Sequence, residues 1–492
     1  MIDLLMILVL IFYFSALLFV LLFSIFQFQL AWQYRKTKSE KNTTPENLTE
    51  FPKVTIQLPV YNEMYVVERL LKATALILYP VEKMEIQVLD DSTDDTSDII
   101  KKICNELKID GITIDHIKRE TRKGFKAGAL AHGLKLAHGE FITVFDADFI
   151  PDRDFLKNTI PYFKDPKIGM VQTRWGHLNK EYSLLTKIQA FGLDAHFTVE
   201  QGGRNRKNLF MNFNGTAGIW RKSAILDAGG WKDDTLTEDL DLSYRAQLKG
   251  WKFKYLENIV SPAELPAEIN SLKSQQFRWN KGASQNAVKN LSKVFSSGLP
   301  IKNKLHSFFH LNNSAVFVCI IIALACSIPL LFIKTQFEYG QVIFTWAIAS
   351  LSGFVFLGYF YYTPFIQLNK KCWYLPFKFL LWFPLFLSIS MGLAFHNAIA
   401  VVEGWMGIKS SFIRTPKYNL SGKSGSWQKK TYFKPRWNLI NLGELAVIVY
   451  SILGIGIGIR LGDTGLIPFH LMMAAGTSIV LFYSLLHSNA VK

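Results

Sequence analysis

The chain has 492 residues, of which 49% are hydrophobic and 14% aromatic, and a formal net charge of +16. That is too long for one small domain and too apolar for a wholly water-soluble protein, so a membrane protein is the first class to consider. The basic excess does not call for nucleic acid. Gly404 to Trp437 carries Lys409, Arg414, Lys417, Lys423, Lys429, Lys430, Lys434 and Arg436 with no acidic residue, the mark of a cytosolic loop beside apolar segments.

Met1 to Leu30 is nearly unbroken apolar sequence followed by Arg35, Lys36, Lys38 and Lys41, which reads as a membrane span with its N-terminus outside. It lacks a basic n-region and a small-residue cleavage site, so a removable signal peptide is the weaker reading. Further apolar blocks lie at about 306–333, 341–366, 376–402, 439–460 and 465–487. Placing both the polar region after the first block and the basic loop in the cytosol requires an even number of crossings between them. The block from Leu375 to Gly404 is interrupted by Pro384 and carries His396, Asn397 and Glu403, so it is expected to re-enter or lie at the interface. Five spans follow, with the C-terminus inside. The cysteines (Cys104, Cys319, Cys326 and Cys372) are scattered and imply neither disulfides nor a zinc site.

The polar region alternates strand and helix patterns. "KVTIQLPVYNE" is β-branched and apolar and breaks at Pro59; Val66 to Leu78 has helical spacing; "MEIQVLDDSTDDT" is a second strand ending at Asp90. Strand, helix, strand predicts an α/β, Rossmann-like domain with a parallel sheet and a ligand at the strands' carboxyl ends. In the second motif Asp90 and Asp91 could accept hydrogen bonds from a nucleoside. Ser92 to Asp95 are assigned the helix-capping role and Asp91 the nucleoside.

"RKGFKAGALAHGLKLAHG" sets Arg122, Lys123 and Lys126 at a glycine-rich helix start, where cations and free N–H groups suit phosphate; a solvated basic helix end is the plain alternative. "GEFITVFDADFIP" ends a buried strand with Asp146 and Asp148. Two residues apart on a strand they share a face, and like charges that close call for a cation, Mg2+ or Mn2+ bridging to a nucleotide diphosphate. A solvated turn is the alternative. In "DDTLTEDLDLSYRAQLKG", Thr235 with Glu238 fits a capping box, while Asp239 is the candidate general base. "SQQFRWNKG" puts Gln275, Arg278 and Trp279 on one helical face: an indole plate for a sugar and a guanidinium for a diphosphate.

The ordered set DDSTDDT, DAD, TED and QQFRW resembles the D, DxD, TED, QxxRW signature of processive glycosyltransferase family 2, the cellulose synthase superfamily. "FNGTAGIWR", "DAGGWKDDT", "LKGWKFKYL" and "DADFIPDRDFL" are most similar to its cellulose-synthase-like A and C groups, glucomannan and glucan synthases, from about Phe51 to Gly282. The resemblance implies a cytosolic GT-A domain embedded in transmembrane helices. It implies Tyr61, Asp90, Asp91 and Lys126 at the nucleotide, Asp146 and Asp148 at the metal, and Asp239 as base with Glu238 beside it. Gln275, Arg278 and Trp279 would hold the acceptor end and the diphosphate, and Gly215 and Thr216 of FNGTAG the acceptor side. "FIRTPK" is similar to the FxVTxK gating loop, with Arg414 where valine is usual, and brings Thr415 and Lys417 to the nucleotide. No PilZ-like cyclic-di-GMP domain is expected.

The expected organisation is a transmembrane helix (1–33), a catalytic domain (34–270), interfacial helices with QQFRW (271–303), transmembrane or re-entrant helices (304–404), a gating loop (405–437) and a final helix pair (438–492). The expected activity is inverting, processive synthesis of a β-glycan, with UDP-glucose preferred as donor by family likeness and GDP-mannose as the alternative. The growing polysaccharide would be extruded across the plasma (inner) or Golgi membrane. A single-transfer glycolipid synthase, and a transporter with a degenerate nucleotide fold, are the competing classes. Intact DAD, TED and QQFRW and spans without intramembrane charge argue against the transporter.

Overall fold

The computed structural model describes residues 2–37, 50–336, 351–370, 372–428 and 439–489. Lys38, Lys41, residues 341–350, Lys429, Lys430, Lys434 and Arg436 lie outside the described residues. Seven strands form one sheet: β1 (Val54–Val60), β2 (Met84–Asp90), β3 (Ile114–Lys118), β4 (Phe141–Val144), β5 (Ile168–His177), β6 (Gly218–Arg221) and β7 (Lys252–Ala263), in the order β3-β2-β1-β4-β6-β5-β7. β2 and β4 are buried along their whole length, as strands covered on both faces must be, and this is why they read as continuous apolar runs. Leu70, Ile100 and Phe145 belong to one apolar cluster and Leu130, Ile142, Trp220 and Leu242 to another.

The sheet is mixed, not parallel throughout. β1, β2, β3 and β4 pair in parallel, and so do β5 and β7, but β6 runs antiparallel between β4 and β5. That reversal has a local use. The FNGTAG segment that leads into β6 starts at the carboxyl end of β4, where Ala217 N donates to Val144 O at 2.8 Å and Asp146 N donates to Thr216 Oγ1 at 2.8 Å. Pro59 does not end β1, which continues to Val60. The register with β4 stops at Gln57↔Val144, so the amide that proline lacks is not missed on that side. Asp146 and Asp148 lie just beyond β4, in a turn closed by Phe149 N donating to Asp146 O at 3.1 Å, rather than on the strand itself.

Among the described residues, five helices are long and apolar enough to cross a bilayer by length and composition: Leu4–Thr37, Ala315–Lys334, Leu375–Gly392, Leu439–Arg460 and Ile467–His487. They have the composition of an integral membrane protein. The third runs through Pro384 and ends at Gly392, ahead of a separate helix, Ala394–Trp405. Of the polar residues behind that expectation, His396 and Glu403 pair with the helix Ile269–Ser296, which carries QQFRW. His396 Nε2 is 3.0 Å from Lys273 O, Glu403 takes Lys281 Nζ at 2.5 Å, and Glu444 takes Lys273 Nζ at 2.6 Å. Glu444 and Lys281 have fully buried side chains, so each charge depends on its partner.

The QQFRW helix crosses the TED turn at Gly282, where a Cβ would stand 2.5 Å from Thr237 Cγ2 and 2.9 Å from Thr237 N. Gly282→Ala must therefore push the TED turn away from the helix. Because displacements of about 1 Å can cost on the order of 100-fold in rate, the variant is expected to lose roughly 10- to 100-fold in kcat with its helix content retained. An unchanged kcat in detergent-purified protein would show that this contact does not set the turn.

Candidate active site

The carboxyl ends of β1, β2 and β4, the TED turn, the QQFRW helix and the strap Phe412–Lys417 line one cleft. Of the residues singled out in the sequence, Tyr61, Asp91, Lys126, Asp146, Asp148, Gly215, Glu238, Asp239, Gln275, Arg278, Trp279, Thr415 and Lys417 all reach it. Asp90 and Thr216 do not.

Asp90 is 1% exposed and its carboxylate is used internally. It accepts from Ser92 N at 2.8 Å and Ser97 Oγ at 2.6 Å, and lies 2.8 Å from His116 Nε2. Burial would raise its pKa, but these hydrogen bonds outweigh burial and hold it down at about 2. Asp90 thus ties the β2 loop together, and the nucleotide contact expected of it is not placed at the cleft. Thr216 is buried and braces the Asp146 amide from behind. The assigned caps also differ. Ser92 Oγ accepts from Asn62 N at 2.9 Å and Asp94 accepts from Thr96 N at 3.0 Å, while the N-cap, Asp95, makes no side-chain cap bond.

Lys126 Nζ bonds Asp146 Oδ1 at 2.5 Å and Gly215 O at 2.9 Å. Gly215 has φ +78°, and a Cβ there would stand 3.0 Å from Asp239 Oδ2 and 3.4 Å from Lys126 Nζ, so the glycine lets the loop pass close to both charges. The Thr235–Glu238 capping box does not form: the helix Glu238–Leu248 starts from Thr237 with no side-chain cap, and Glu238 lines the cleft. Burial first, and then Glu238 alongside, push Asp239 up to about 7, with Lys126 opposing. A carboxylate poised there suits proton abstraction near neutrality.

The strap is seated across the cleft. Lys417 Nζ donates to Asp148 Oδ2 at 2.7 Å and Glu264 O at 2.6 Å, while the Glu264 carboxylate accepts from Tyr418 N at 2.8 Å and Leu420 N at 3.1 Å. Arg414 pairs with Glu63 at 2.9 Å, and burial first of all raises the Glu63 carboxyl to about 8. Phe412 stacks on Phe125 at 5.8 Å and lies under the Arg278 guanidinium at 4.6 Å, while Arg278 also donates to Ile413 O at 3.0 Å. Glu63, Arg119 and Glu264 are the residues the sequence reading missed. Glu63 sat inside the quoted PVYNE run, but nothing in the spacing of Arg119 or Glu264 marks them as partners of Asp91 and the strap.

Among the described residues, no group of three or more His, Cys, Asp or Glu side chains is arranged to cage a metal. The DAD pair fits a different ligand set, in which a hard divalent cation takes one or two carboxylates and completes its shell from phosphate and water. Both carboxylates line the cleft and each faces a single lysine.

Residues 52–282 match the family described as glycosyltransferase like family 2. A probable glucomannan 4-β-mannosyltransferase from Oryza sativa subsp. japonica is 39% identical over 341 residues, 66% of this chain and 62% of the relative. A glucomannan 4-β-mannosyltransferase from Cyamopsis tetragonoloba is 38% identical over 307 residues, 59% of this chain and 58% of the relative. The chain therefore spans about three fifths of the length of these relatives. A mannosyltransferase from Pyrobaculum calidifontis, solved with GDP-Man and Mn2+, has a TM-score of 0.53 at 17% identity and covers 80% of this chain and 100% of its own, a likeness of fold. Fold and site together define a GT-A glycosyltransferase domain. That domain belongs to glycosyltransferase family 2 and is similar to those of the glucomannan 4-β-mannosyltransferases of the cellulose-synthase-like A group.

Removing the Glu264 carboxylate deletes two hydrogen bonds to the strap backbone, worth about 2–3 kcal/mol together. Glu264→Ala should raise the open population of the strap by about 30- to 150-fold, read as faster tryptic cleavage after Lys417 and Lys423. Cleavage at the wild-type rate would mean that Glu264 does not hold it.

Proposed function

We propose that the protein is a membrane-integrated, inverting, processive glycosyltransferase that transfers mannose from GDP-mannose to the non-reducing end of a growing β-linked mannan or glucomannan. The observation that carries this is the placement of Asp239, the DAD pair and Gln275, Arg278 and Trp279 around one cleft. The names of the relatives support mannose over the glucose preferred by family likeness. In this reading the catalytic domain and strap face the cytosol and the chain product leaves through the membrane helices beside Trp279.

Tyr61 and Asp91 take the nucleoside; Trp279 and Gln275 take the acceptor sugar, with Gly215 leaving room beside it. Asp239 removes the proton from the acceptor hydroxyl, whose oxygen attacks the anomeric carbon as the bond to the diphosphate breaks, so GDP departs and one glycosidic bond forms. Arg278 and Lys417 meet the negative charge that builds on the leaving diphosphate, and Thr415 lies beside them on the strap. Asp146 and Asp148 would hold Mg2+ or Mn2+, and the cation would supply charge neutralisation at the diphosphate; the fold neighbour was solved with Mn2+. Excess chelator should abolish turnover and either ion restore it.

Radiolabelled GDP-mannose and UDP-glucose given separately to the detergent-purified protein test the donor. A large product digestible by β-mannanase is expected from GDP-mannose; label confined to a small organic-extractable product would replace the reading with a glycolipid synthase. Asp239→Asn should keep GDP binding and lower turnover by about 100- to 10,000-fold. Since the Asp239 carboxyl is raised to about 7, it is protonated below that pH and the base is lost, so turnover should fall about tenfold per unit as pH drops under 7. A profile flat from pH 5 to 8 would remove Asp239 as the base.

A further inference from the structure

Arg122, a cation of the glycine-rich motif, has no task in the reading above. It lines the same cleft as Asp91, and its guanidinium lies over two aromatic rings, 3.3 Å from the Tyr61 centroid and 4.9 Å from that of Phe125. Phe125 is in turn backed by Phe412 of the strap. The N–H groups of a guanidinium lie in its plane, so it donates at its edge. Its Nε is buried without a hydrogen-bond partner, a costly state for a donor unless a ligand supplies an acceptor.

Asp91 beside it is held by Arg119, whose Nε donates to Oδ1 at 2.9 Å and whose second terminal nitrogen bonds Oδ2. Arg119 also donates to Lys123 O at 2.9 Å and Phe125 O at 3.1 Å, so it is committed to the loop. Arg119 takes one lone pair on each Asp91 oxygen, and of the about four acceptor sites of a carboxylate the outer ones remain, each open to a single further hydrogen bond. The cleft therefore offers a fixed acceptor, Asp91, next to an uncommitted fork of donors, Arg122.

We infer that Arg122 reads the nucleobase of the donor and selects guanine, its guanidinium edge donating to O6 and N7 while one oxygen of Asp91 accepts a single base N–H. Guanine presents O6 and N7 as adjacent acceptors, a bidentate fit to a guanidinium. Uracil can also offer Asp91 one N–H, but it has no adjacent pair of acceptors for the Arg122 fork. The inference rests on the GDP-mannose reading above and adds the residue that enforces it.

The test measures binding of GDP, UDP and 7-deaza-GDP to the full-length protein in Mn2+, without turnover. The deaza analogue replaces the N7 acceptor with C–H and leaves charge, ribose and diphosphate unchanged. The wild type is expected to bind GDP at least tenfold more tightly than either of the others. Arg122→Ala should bind GDP and 7-deaza-GDP equally, and Arg122→Lys, a point donor in place of a fork, should recover less than half of the lost discrimination on a logarithmic scale. GDP preferred over UDP with no penalty for 7-deaza-GDP would overturn the role of Arg122 and leave the donor standing. UDP preferred over GDP would overturn both. An equal loss of GDP and UDP affinity in Arg122→Ala would make Arg122 a phosphate or ribose contact and also overturn the inference. The analogue comparison needs no variant, so a misfolded Arg122→Ala does not block the result.

Discussion

Everything in this cleft depends on keeping like charges together. Asp146, Asp148, Glu238 and Asp239 open into a single space, and two unit charges 4 Å apart interact by about 4 kcal/mol at an effective dielectric constant of 20. The cations that offset them come from three separate parts of the chain: Lys126 from the helix after the glycine-rich turn, Arg278 from the QQFRW helix and Lys417 from the strap. Neither the sheet nor any one motif could hold this site. The balance is also incomplete by design of the fold: burial lifts Glu238 and Asp239 together, and a raised Asp239 is what a base working near neutrality requires.

The antiparallel β6 is the second constraint. Parallel strands end at one edge, and each contributes one loop there. Reversing β6 lets the chain arrive at that edge before the strand rather than after it, so FNGTAG threads between DAD and TED and places Gly215 within reach of both Lys126 and Asp239. The strap closes the opposite wall, and Glu264, at the exit of β7, holds it through two main-chain amides.

Much of this was legible in the sequence because it rests on short-range rules. The strands could be read from β-branched apolar runs, and Gln275, Arg278 and Trp279 share a face because helical spacing puts them there. The parallel sheet was wrong at β6, since strand direction is settled by pairing between distant segments and leaves no local trace. Asp90 and Asp91 look alike in sequence, yet one is sealed by Ser92, Ser97 and His116 and the other meets Arg119, a distinction made by residues up to 28 positions away. Pro384 read as a break because a helix loses a hydrogen bond there, yet the helix Leu375–Gly392 continues through it. His396 and Glu403 had partners that no local pattern could supply.

Those partners bear on how the protein can be divided. Lys273 and Lys281 lie on the helix that carries Gln275, Arg278 and Trp279, and their carboxylates lie on Leu439–Arg460 and Ala394–Trp405. A buried lysine stripped of its carboxylate costs several kcal/mol, a large share of the net stability of any domain. The sheet domain with its QQFRW helix and the apolar helices are therefore one inheritance unit: a chimera that takes residues 52–282 from a relative leaves Glu403 and Glu444 in place, so the incoming helix must supply a cation opposite each.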